Sequence, residues 1–420
     1  MKRLAIFAYL ICFATVIYAQ QGVLPYDVLM RSGKIRMGAK DYDKALEFFG
    51  TAVKNYPDQP EAHFWLGTLS HDRSNFKEML LQFNKFDEIY AKAKSSGDKK
   101  LTKSCEKDDM PKQIRELRRS AFAKQFAAGI VQWNLADSLS KESSNLADDS
   151  AKTQQQKLVS QLFDKANVLF NECLAFEDTV SDVYTYIGMV ESKRGNNQGA
   201  LDMYRKAHQL APNNNLLLAS LASTYSALQQ NDSAAFYFGA FAEKDSLNRE
   251  AALFNQAMCY QAMNDEKHFE ESLDNIIKVN PQNAEILYQR GVLYVRQASA
   301  KVLTDSASML DSIAQKRPDD KAIEKAKADL LSYRRGLYGK AFPDFKAAAE
   351  LTKTDSDYWY WFGTAAMLTD NMDDARTAYA KCVEVKPDDK DCWCQLALVY
   401  AKLKMQKEFE EATAKCSTNK

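Results

Sequence analysis

Histidine, glycine and proline are scarce in this chain of 420 residues, which contains 4 histidines, 15 glycines and 9 prolines. Histidine is the side chain most often used for acid–base catalysis and metal binding near neutral pH. The four histidines are scattered along the sequence and form no H-E-x-x-H pair. The phosphate loop, the G-x-S-x-G elbow and the G-x-G-x-x-G fingerprint are also absent. We therefore expect no enzymatic activity, no cofactor and no metal ion.

A net charge is lacking as well, because Lys+Arg and Asp+Glu both number 56. Nucleic-acid-binding proteins usually carry an excess of basic residues on one face, so we expect no nucleic-acid partner. No stretch after the N-terminal segment is apolar enough to cross a membrane. The residues that are abundant, such as alanine, leucine, lysine and glutamate, are those that favour helices.

The N-terminal segment has the pattern of a secretory signal peptide. Lys2 and Arg3 supply positive charge, and the uncharged run from Leu4 to Tyr18 is shorter than the roughly 20 residues of a membrane-spanning helix. We predict that residues 1–19 are removed by cleavage near Ala19, and that the protein is exported to the periplasm or secreted. An uncleaved membrane anchor is the alternative.

A repeated spacing of small, aromatic and proline residues organises the rest of the chain. Gly188 is followed by Ala200, Tyr204, Ala207 and Pro212, and the pattern returns about 34 residues later in Ala222, Ala234, Phe238, Phe241 and Ser246. This spacing resembles that of tetratricopeptide repeats, in which W-x2-L-G-x2-Y precedes A-x3-F and a proline. The resemblance implies an all-α, right-handed superhelical solenoid of helix-turn-helix repeats.

The same pattern divides the chain into about nine repeats with two helical insertions. The predicted divisions are repeats 1–2 at 26–94, a polar loop at 95–111, a split repeat 3 at 112–178, repeats 4–6 at 181–283, repeat 7 at 284–353 and repeats 8–9 at 356–420. Within repeat 3, the polar stretch 138–156 forms either an extended helical hairpin or a loop. Within repeat 7, the insertion 299–338 reads as an additional helical pair.

Four cysteines lie close together at the C-terminal end, and they allow three interpretations. Cys382 and Cys416 stand where other repeats have alanine, so these two residues could be small apolar packers. Alternatively, a disulfide joins Cys382 to Cys392 or Cys382 to Cys394 across the turn between repeats, as an oxidising compartment would permit. A four-cysteine zinc site is the third interpretation, although the spacing matches no known zinc motif.

The resemblance also implies a concave groove lined by the first helix of each repeat. In the central and later repeats, many of the first-helix positions near the small Gly or Ala of the pattern are apolar or aromatic. The candidate groove residues are Met189, Phe254, Met258, Tyr288, Val292 and Tyr360. Such a groove suits an amphipathic helix or apolar segment. The insertion at 299–338 could instead cover these residues, or they could be exposed and unused.

We therefore predict an exported, non-enzymatic scaffold or adaptor that binds other proteins or peptide segments in its groove. The alternative is a fixed structural component of a cell-envelope assembly that binds through its edges or convex face. The identity of the partner and the oligomeric state do not follow from the sequence.

Overall fold

A computed structural model describes residues 24–143 and 148–417, and all regular secondary structure in these ranges is helical. The predicted signal peptide, residues 1–19, lies outside the described residues. The chain divides into two compact units, the first ending at Pro212 and the second beginning at Asn213. The predicted all-α helical repeat architecture is therefore confirmed, and the two units are described separately.

The first unit is a series of helical pairs with one short additional helix. Its helices are α1 (Tyr26–Gly38), α2 (Tyr42–Asn55), α3 (Pro60–Asp72), α4 (Phe76–Ser96), α5 (Lys99–Glu106), α6 (Met110–Ser143), α7 (Asp149–Cys173), α8 (Ser181–Lys193) and α9 (Asn197–Leu210). The pairs α1/α2, α3/α4, α6/α7 and α8/α9 pack as helix-turn-helix units. In repeat 3 the helices α6 and α7 are both extended, as in the hairpin interpretation, and the connection at 144–147 lies outside the described residues.

The second unit continues the same arrangement and contains the insertion. Its helices are α10 (Asn215–Ala227), α11 (Asn231–Lys244), α12 (Arg249–Ala262), α13 (Glu266–Val279), α14 (Ala284–Ala298), α15 (Lys301–Lys316), α16 (Lys321–Thr352), α17 (Ser356–Leu368), α18 (Met372–Val385), α19 (Lys390–Lys402) and α20 (Gln406–Ser417). The pairs are α10/α11, α12/α13, α14/α16, α17/α18 and α19/α20, and α15 packs on α16.

A glycine packed against an aromatic ring holds most of these pairs together. In the pair α17/α18, a Cβ on Gly363 would lie 2.8 Å from Cε1 of Tyr379. Only glycine leaves room for a ring this close to the helix backbone, so the two helices approach each other tightly. The same contact joins Gly33 to Phe49, Gly67 to Phe83, Gly129 to Phe170, Gly188 to Tyr204 and Gly291 to Phe345.

Residues 299–338 contain one complete helix, α15, and the first half of a second helix, α16, with a break at 317–320 between them. Helix α15 is a distinct element, but α16 runs without interruption from Lys321 to Thr352. It therefore supplies both the second helix of the insertion and the second helix of repeat 7. The break before it is a capped helix start, because the Asp320 carboxylate accepts the backbone N–H of Ala322.

The prediction of a polar loop at 95–111 is wrong. Asp98 accepts the backbone N–H of Leu101 and so caps α5, and a 3₁₀ turn at Lys107–Asp109 leads into α6. The side chains of Cys105 and Met110 are fully buried against the core formed by α3, α4 and α6. Two buried side chains in an otherwise polar stretch are enough to dock one short helix. The overall polar composition of the stretch gives no indication of these two residues, which is why the loop prediction failed.

Candidate functional site

Two of the predicted groove residues, Tyr288 and Tyr360, are connected through a continuous set of ring contacts in the second unit. The ring of Tyr288 lies 5.7 Å from that of Phe345, and Trp361 stacks on Phe345 at 6.0 Å. Tyr360 in turn lies 5.8 Å from Trp361. With Tyr358, which stacks on Tyr288 at 4.6 Å, these five residues form what we call the aromatic face.

The repeat geometry explains why these rings meet. Tyr288 and Tyr360 each stand three residues before the glycine of their first helix, Gly291 and Gly363. They therefore project from equivalent places on α14 and α17. The second helix of repeat 7 brings Phe345 between them, where it is fully buried, whereas Tyr288, Tyr360 and Trp361 stay partly accessible. Large rings that are half exposed on a rigid support can contribute much binding area at little entropic cost.

Carboxylates border the aromatic face at the start of each first helix. Glu285, Asp357 and Asp391 lie in the first turns of α14, α17 and α19, and Asp355 and Asp389 are the N-caps of α17 and α19. We call these five residues the acidic edge. Their place follows from helix chemistry, since a negative side chain at a helix N-terminus is stabilised by the exposed N–H groups and the helix dipole.

The charge of the acidic edge reaches the aromatic hydroxyls. The Tyr358 hydroxyl donates a hydrogen bond of 2.8 Å to Glu285. Burial, followed by the charges of Asp357, Asp355 and Glu285, raises the pKa of Tyr288 above its ordinary value. Burial, followed by Asp391 and Asp389, does the same to the pKa of Tyr360. The carboxylates of the acidic edge therefore lie close enough to the hydroxyls of Tyr288 and Tyr360 to affect their pKa.

The structure does not bring all predicted groove residues into one site. Met189 belongs to the first unit, where it packs on the core between α6, α7 and α8. Phe254, on α12, packs on a different core cluster from Tyr288 and Tyr360, and Met258 is half-buried on the same helix. Val292 is 36% exposed on α14, one turn after Tyr288. Only Tyr288 and Tyr360 share the aromatic face.

Three members of the aromatic face, Phe345, Tyr358 and Trp361, and all of the acidic edge were not identified as site residues from the sequence. Trp361 adjoins Tyr360, and only the position of Phe345 shows that its ring turns toward Tyr288. The hydrogen bond between Tyr358 and Glu285 joins helices that the insertion separates in sequence. No local sequence pattern predicts that hydrogen bond. The first-turn carboxylates, in contrast, could have been predicted from the positions at which each repeat begins.

The four C-terminal cysteines form two disulfides, Cys382–Cys392 and Cys394–Cys416. The first was one of the two bridges considered from the sequence, whereas Cys394 pairs with Cys416 and not with Cys382. Cys392 and Cys394 leave α19 on different sides, so one bridge reaches back to α18 and the other forward to α20. All four sulfurs are used in these two bridges.

Comparison with known proteins places the repeats in a family. Tetratricopeptide repeat models match residues 30–92 and 356–389, and the second match includes Tyr360 and Trp361. These two segments carry tetratricopeptide repeats. A 91-residue segment, 22% of this chain, is 35% identical to Tetratricopeptide repeat protein 37 of Xenopus laevis, and the match spans only 6% of that protein.

Several solved structures are similar in part. The MamA protein is 18% identical, with a TM-score of 0.33, and the match covers 50% of this chain and 94% of MamA. YrrB, described as a TPR protein with an unusual peptide-binding site, is 15% identical with a TM-score of 0.34 over 53% of this chain and 95% of YrrB. A tetratricopeptide repeat protein from Parabacteroides merdae is 16% identical with a TM-score of 0.29, covering 63% and 98%.

Two further properties of the described residues concern membrane insertion and metal binding. Within 24–143 and 148–417, no helix has both the length and the apolar character needed to cross a bilayer. In the same ranges, no group of three or more histidine, cysteine, aspartate or glutamate side chains is arranged to hold a metal ion.

Proposed function

We propose that this chain is an exported, non-enzymatic tetratricopeptide-repeat scaffold that binds other proteins or peptide segments through the aromatic face. The observation that carries the proposal is the contact chain from Tyr288 through Phe345 and Trp361 to Tyr360. It presents three partly accessible aromatic rings on a buried support. Aromatic side chains in this state are the usual anchors of protein interfaces.

The insertion does not supply the partners of these rings. The ring contacts of Tyr288 and Tyr360 come from Phe345, Tyr358, Trp361 and Tyr379, all of which lie outside residues 299–338. Helix α15 packs on α16 and has no buried residue of its own. This arrangement favours partner binding over intramolecular cover of the groove.

Export is supported by two features. The N-terminal segment has the pattern of a signal peptide, and disulfides such as Cys382–Cys392 and Cys394–Cys416 persist mainly in oxidising compartments. We expect the mature protein to begin at Gln20 and to be recovered from the periplasm or the medium. N-terminal sequencing of the protein from fractionated cells tests this, and a chain that retains Met1 in the membrane fraction would contradict it.

A fixed structural role in a cell-envelope assembly is the second candidate. The hairpin formed by α15 and the first half of α16 exposes large apolar side chains that are not part of the aromatic face, namely Val302, Met309, Leu331 and Tyr333. Exposed apolar residues on a protruding element are typical of assembly contacts. A stable complex of fixed stoichiometry that survives loss of the aromatic face would favour this role.

The two candidates are separated by a capture experiment with matched variants. The mature protein, its Tyr288→Ala/Tyr360→Ala variant and a Phe236→Ala control are immobilised and exposed to envelope extract. Phe236 is an exposed aromatic residue on α11 in the same unit and is 67% accessible. Binding through the aromatic face predicts partners that are retained by the wild type and the control but lost from the double variant. An unchanged set of partners on a double variant that still melts cooperatively would contradict the proposal.

A further inference from the structure

The aromatic face and the acidic edge together have the chemistry to discriminate between partners by charge. Apolar rings alone would accept any apolar segment of suitable shape. Carboxylates beside them favour a ligand with positive charge next to its apolar residues, and they repel a ligand with negative charge there. The question is whether these carboxylates are available to a ligand or already neutralised within the chain.

Two members of the acidic edge are available. Asp357 and Asp391 are exposed, and among the described residues neither forms an ion pair. Asp355 is occupied by capping, since it accepts the backbone N–H of Asp357. Asp389 is both the cap of α19 and the partner of Lys386 at 3.1 Å. Lys386 also lies near enough to Asp357 for that carboxylate to contribute, after Asp389, to the raised pKa of the lysine. Together with the exposed Lys353 and Lys390, three lysines accompany the five carboxylates of the acidic edge, so negative charge stays in excess.

Asp357 and Asp391 stand in equivalent places of successive repeats, two residues after the N-caps Asp355 and Asp389. Asp357 is three residues before Tyr360, and Glu285 is three residues before Tyr288, so each lies about one helical turn from its aromatic residue on the same side of its helix. The hydrogen bond from Tyr358 to Glu285 connects a carboxylate of the acidic edge in one repeat to a residue of the aromatic face in the next repeat. The raised pKa of Tyr288 and of Tyr360 supports the same proximity, since nearby carboxylates contribute to both shifts after burial.

We propose that this site selects segments in which lysine or arginine alternates with aliphatic side chains, such as a basic amphipathic helix of a partner protein. The aliphatic residues pack on Tyr288, Tyr360 and Trp361, and the cations face Asp357 and Asp391. The inference rests on the proposed function, because it names the partner class for the aromatic face. Acidic or neutral apolar segments are excluded by charge repulsion and by carboxylates left without a counter-charge.

Three synthetic peptides of about 16 residues test this selectivity by fluorescence anisotropy on the mature protein. The first carries leucine at helical spacing with lysine at the other positions, the second replaces lysine by glutamate, and the third replaces leucine by serine. We expect the leucine–lysine peptide to bind at least tenfold more tightly than either of the others. Its affinity should also fall as salt is raised, because exposed charges are screened.

Variants assign the effect to the named residues. Asp357→Asn/Asp391→Asn should weaken the leucine–lysine peptide by roughly five- to tenfold, the effect of two exposed ion pairs, and should leave the leucine–glutamate peptide no weaker. Asp305→Asn/Asp329→Asn is the matched control, since it removes two exposed carboxylates from the α15–α16 hairpin and should change nothing. Neither pair serves as an N-cap, so the melting temperature should fall only slightly in Asp357→Asn/Asp391→Asn, which loses the interaction of two first-turn charges with the helix dipoles, and should not change in the control.

The outcomes separate this inference from the proposed function. Equal binding of the lysine and glutamate peptides, both abolished by Tyr288→Ala/Tyr360→Ala, would overturn the charge selectivity and leave the aromatic face as a binding site. Equal binding of the leucine–lysine and serine–lysine peptides would show attraction by charge alone and overturn the inference. Binding that survives Tyr288→Ala/Tyr360→Ala, or no binding of any peptide, would overturn the inference and count against the aromatic face itself.

Discussion

Phe345 lies so close to Gly291 that a Cβ at position 291 would be 2.7 Å from Cε1 of its ring. The contact reproduces that of Gly363 with Tyr379 in the next repeat, although residues 299–338 intervene between the two partners in sequence. The insertion has therefore been accommodated without altering the packing of the repeat that contains it. The aromatic face depends on this contact, because Phe345 is the ring that both Tyr288 and Trp361 touch.

Gly291→Ala should destabilise the second unit by about 1–3 kcal/mol, the usual cost of overpacking a core. The added methyl would overlap the ring of Phe345, which is fully buried, so the ring or the helix backbone would have to shift. The free energy of unfolding from urea denaturation measures the effect.

Gly339→Ala is the matched control for that substitution. Gly339 lies in α16 with nothing within 4 Å of an added Cβ. Since alanine favours helix over glycine by up to about 1 kcal/mol, this variant should be unchanged or slightly more stable. If the two variants proved equally stable, the packing argument for Gly291 would fail.

The repeat frame could be read from the sequence because each repeat uses the same local signals. Small residues, aromatic residues and prolines at fixed spacing located Gly188 and Tyr204 in one repeat, and Gly363 and Tyr379 in another. The frame also placed Tyr288 and Tyr360 at equivalent positions. It failed at 95–111, where a single capping residue, Asp98, and the buried Cys105 produce a helix in a polar stretch.

Contacts between distant residues could not be read in this way. The pairing of Cys394 with Cys416 depends on how α20 packs back on α19, and the hydrogen bond between Tyr358 and Glu285 depends on the path of α16. The positions of the turns inside the repeats were also difficult to predict from the sequence. Lys40, Asn264 and Lys404 adopt left-handed backbone conformations with φ of 59°, 56° and 60°, where glycine is the expected residue.

Reduction of the disulfides should loosen the C-terminal repeat. The bridge Cys394–Cys416 joins α19 to α20 across 22 residues of sequence, and closing a loop of this size stabilises the folded state by about 3 kcal/mol in the chain-entropy model. Cys394→Ser/Cys416→Ser should therefore increase amide hydrogen exchange in α20 while leaving the first unit unchanged. Measurement by mass spectrometry resolves the two regions.

The control for that prediction is the wild type in reducing buffer. Dithiothreitol should raise exchange in α20 of the wild type and have a smaller effect on the double serine variant, which retains only Cys382–Cys392. Equal protection of α20 in oxidised and reduced wild type would show that packing alone holds the last helix.

The remaining described cysteines should be unreactive in the folded protein. Burial raises the pKa of Cys105 to about 11 and that of Cys173 to about 12, and it also raises the pKa of Cys259. At pH 8 a thiol of pKa 11 is ionised to only about one part in a thousand, and the thiolate is the reactive form. Ellman's reagent should therefore modify these thiols slowly in buffer and rapidly in denaturant. Rapid modification in buffer would mean that their surroundings open frequently.

Arg290 should be essential to the second unit because of the charge that it neutralises. Its guanidinium donates two hydrogen bonds to the Asp344 carboxylate, of 2.8 Å from Nε and 2.7 Å from the second terminal nitrogen, and it also pairs with Asp274. The side chain of Asp344 is only 4% exposed, whereas that of Asp274 is 40% exposed and can be solvated. Arg290→Met would leave the Asp344 carboxylate buried without its partner, at a cost of about 3–5 kcal/mol.

The double variant Arg290→Met/Asp344→Leu distinguishes this cause from a simple loss of packing. It removes both buried charges and replaces them with apolar groups, an exchange that is often neutral or stabilising in protein interiors. We expect it to recover most of the stability that Arg290→Met loses, as measured by urea denaturation of both variants and of Asp344→Leu alone. If the double variant were no more stable than Arg290→Met, the loss would come from the missing arginine stem and its contacts, and the charge explanation would be wrong.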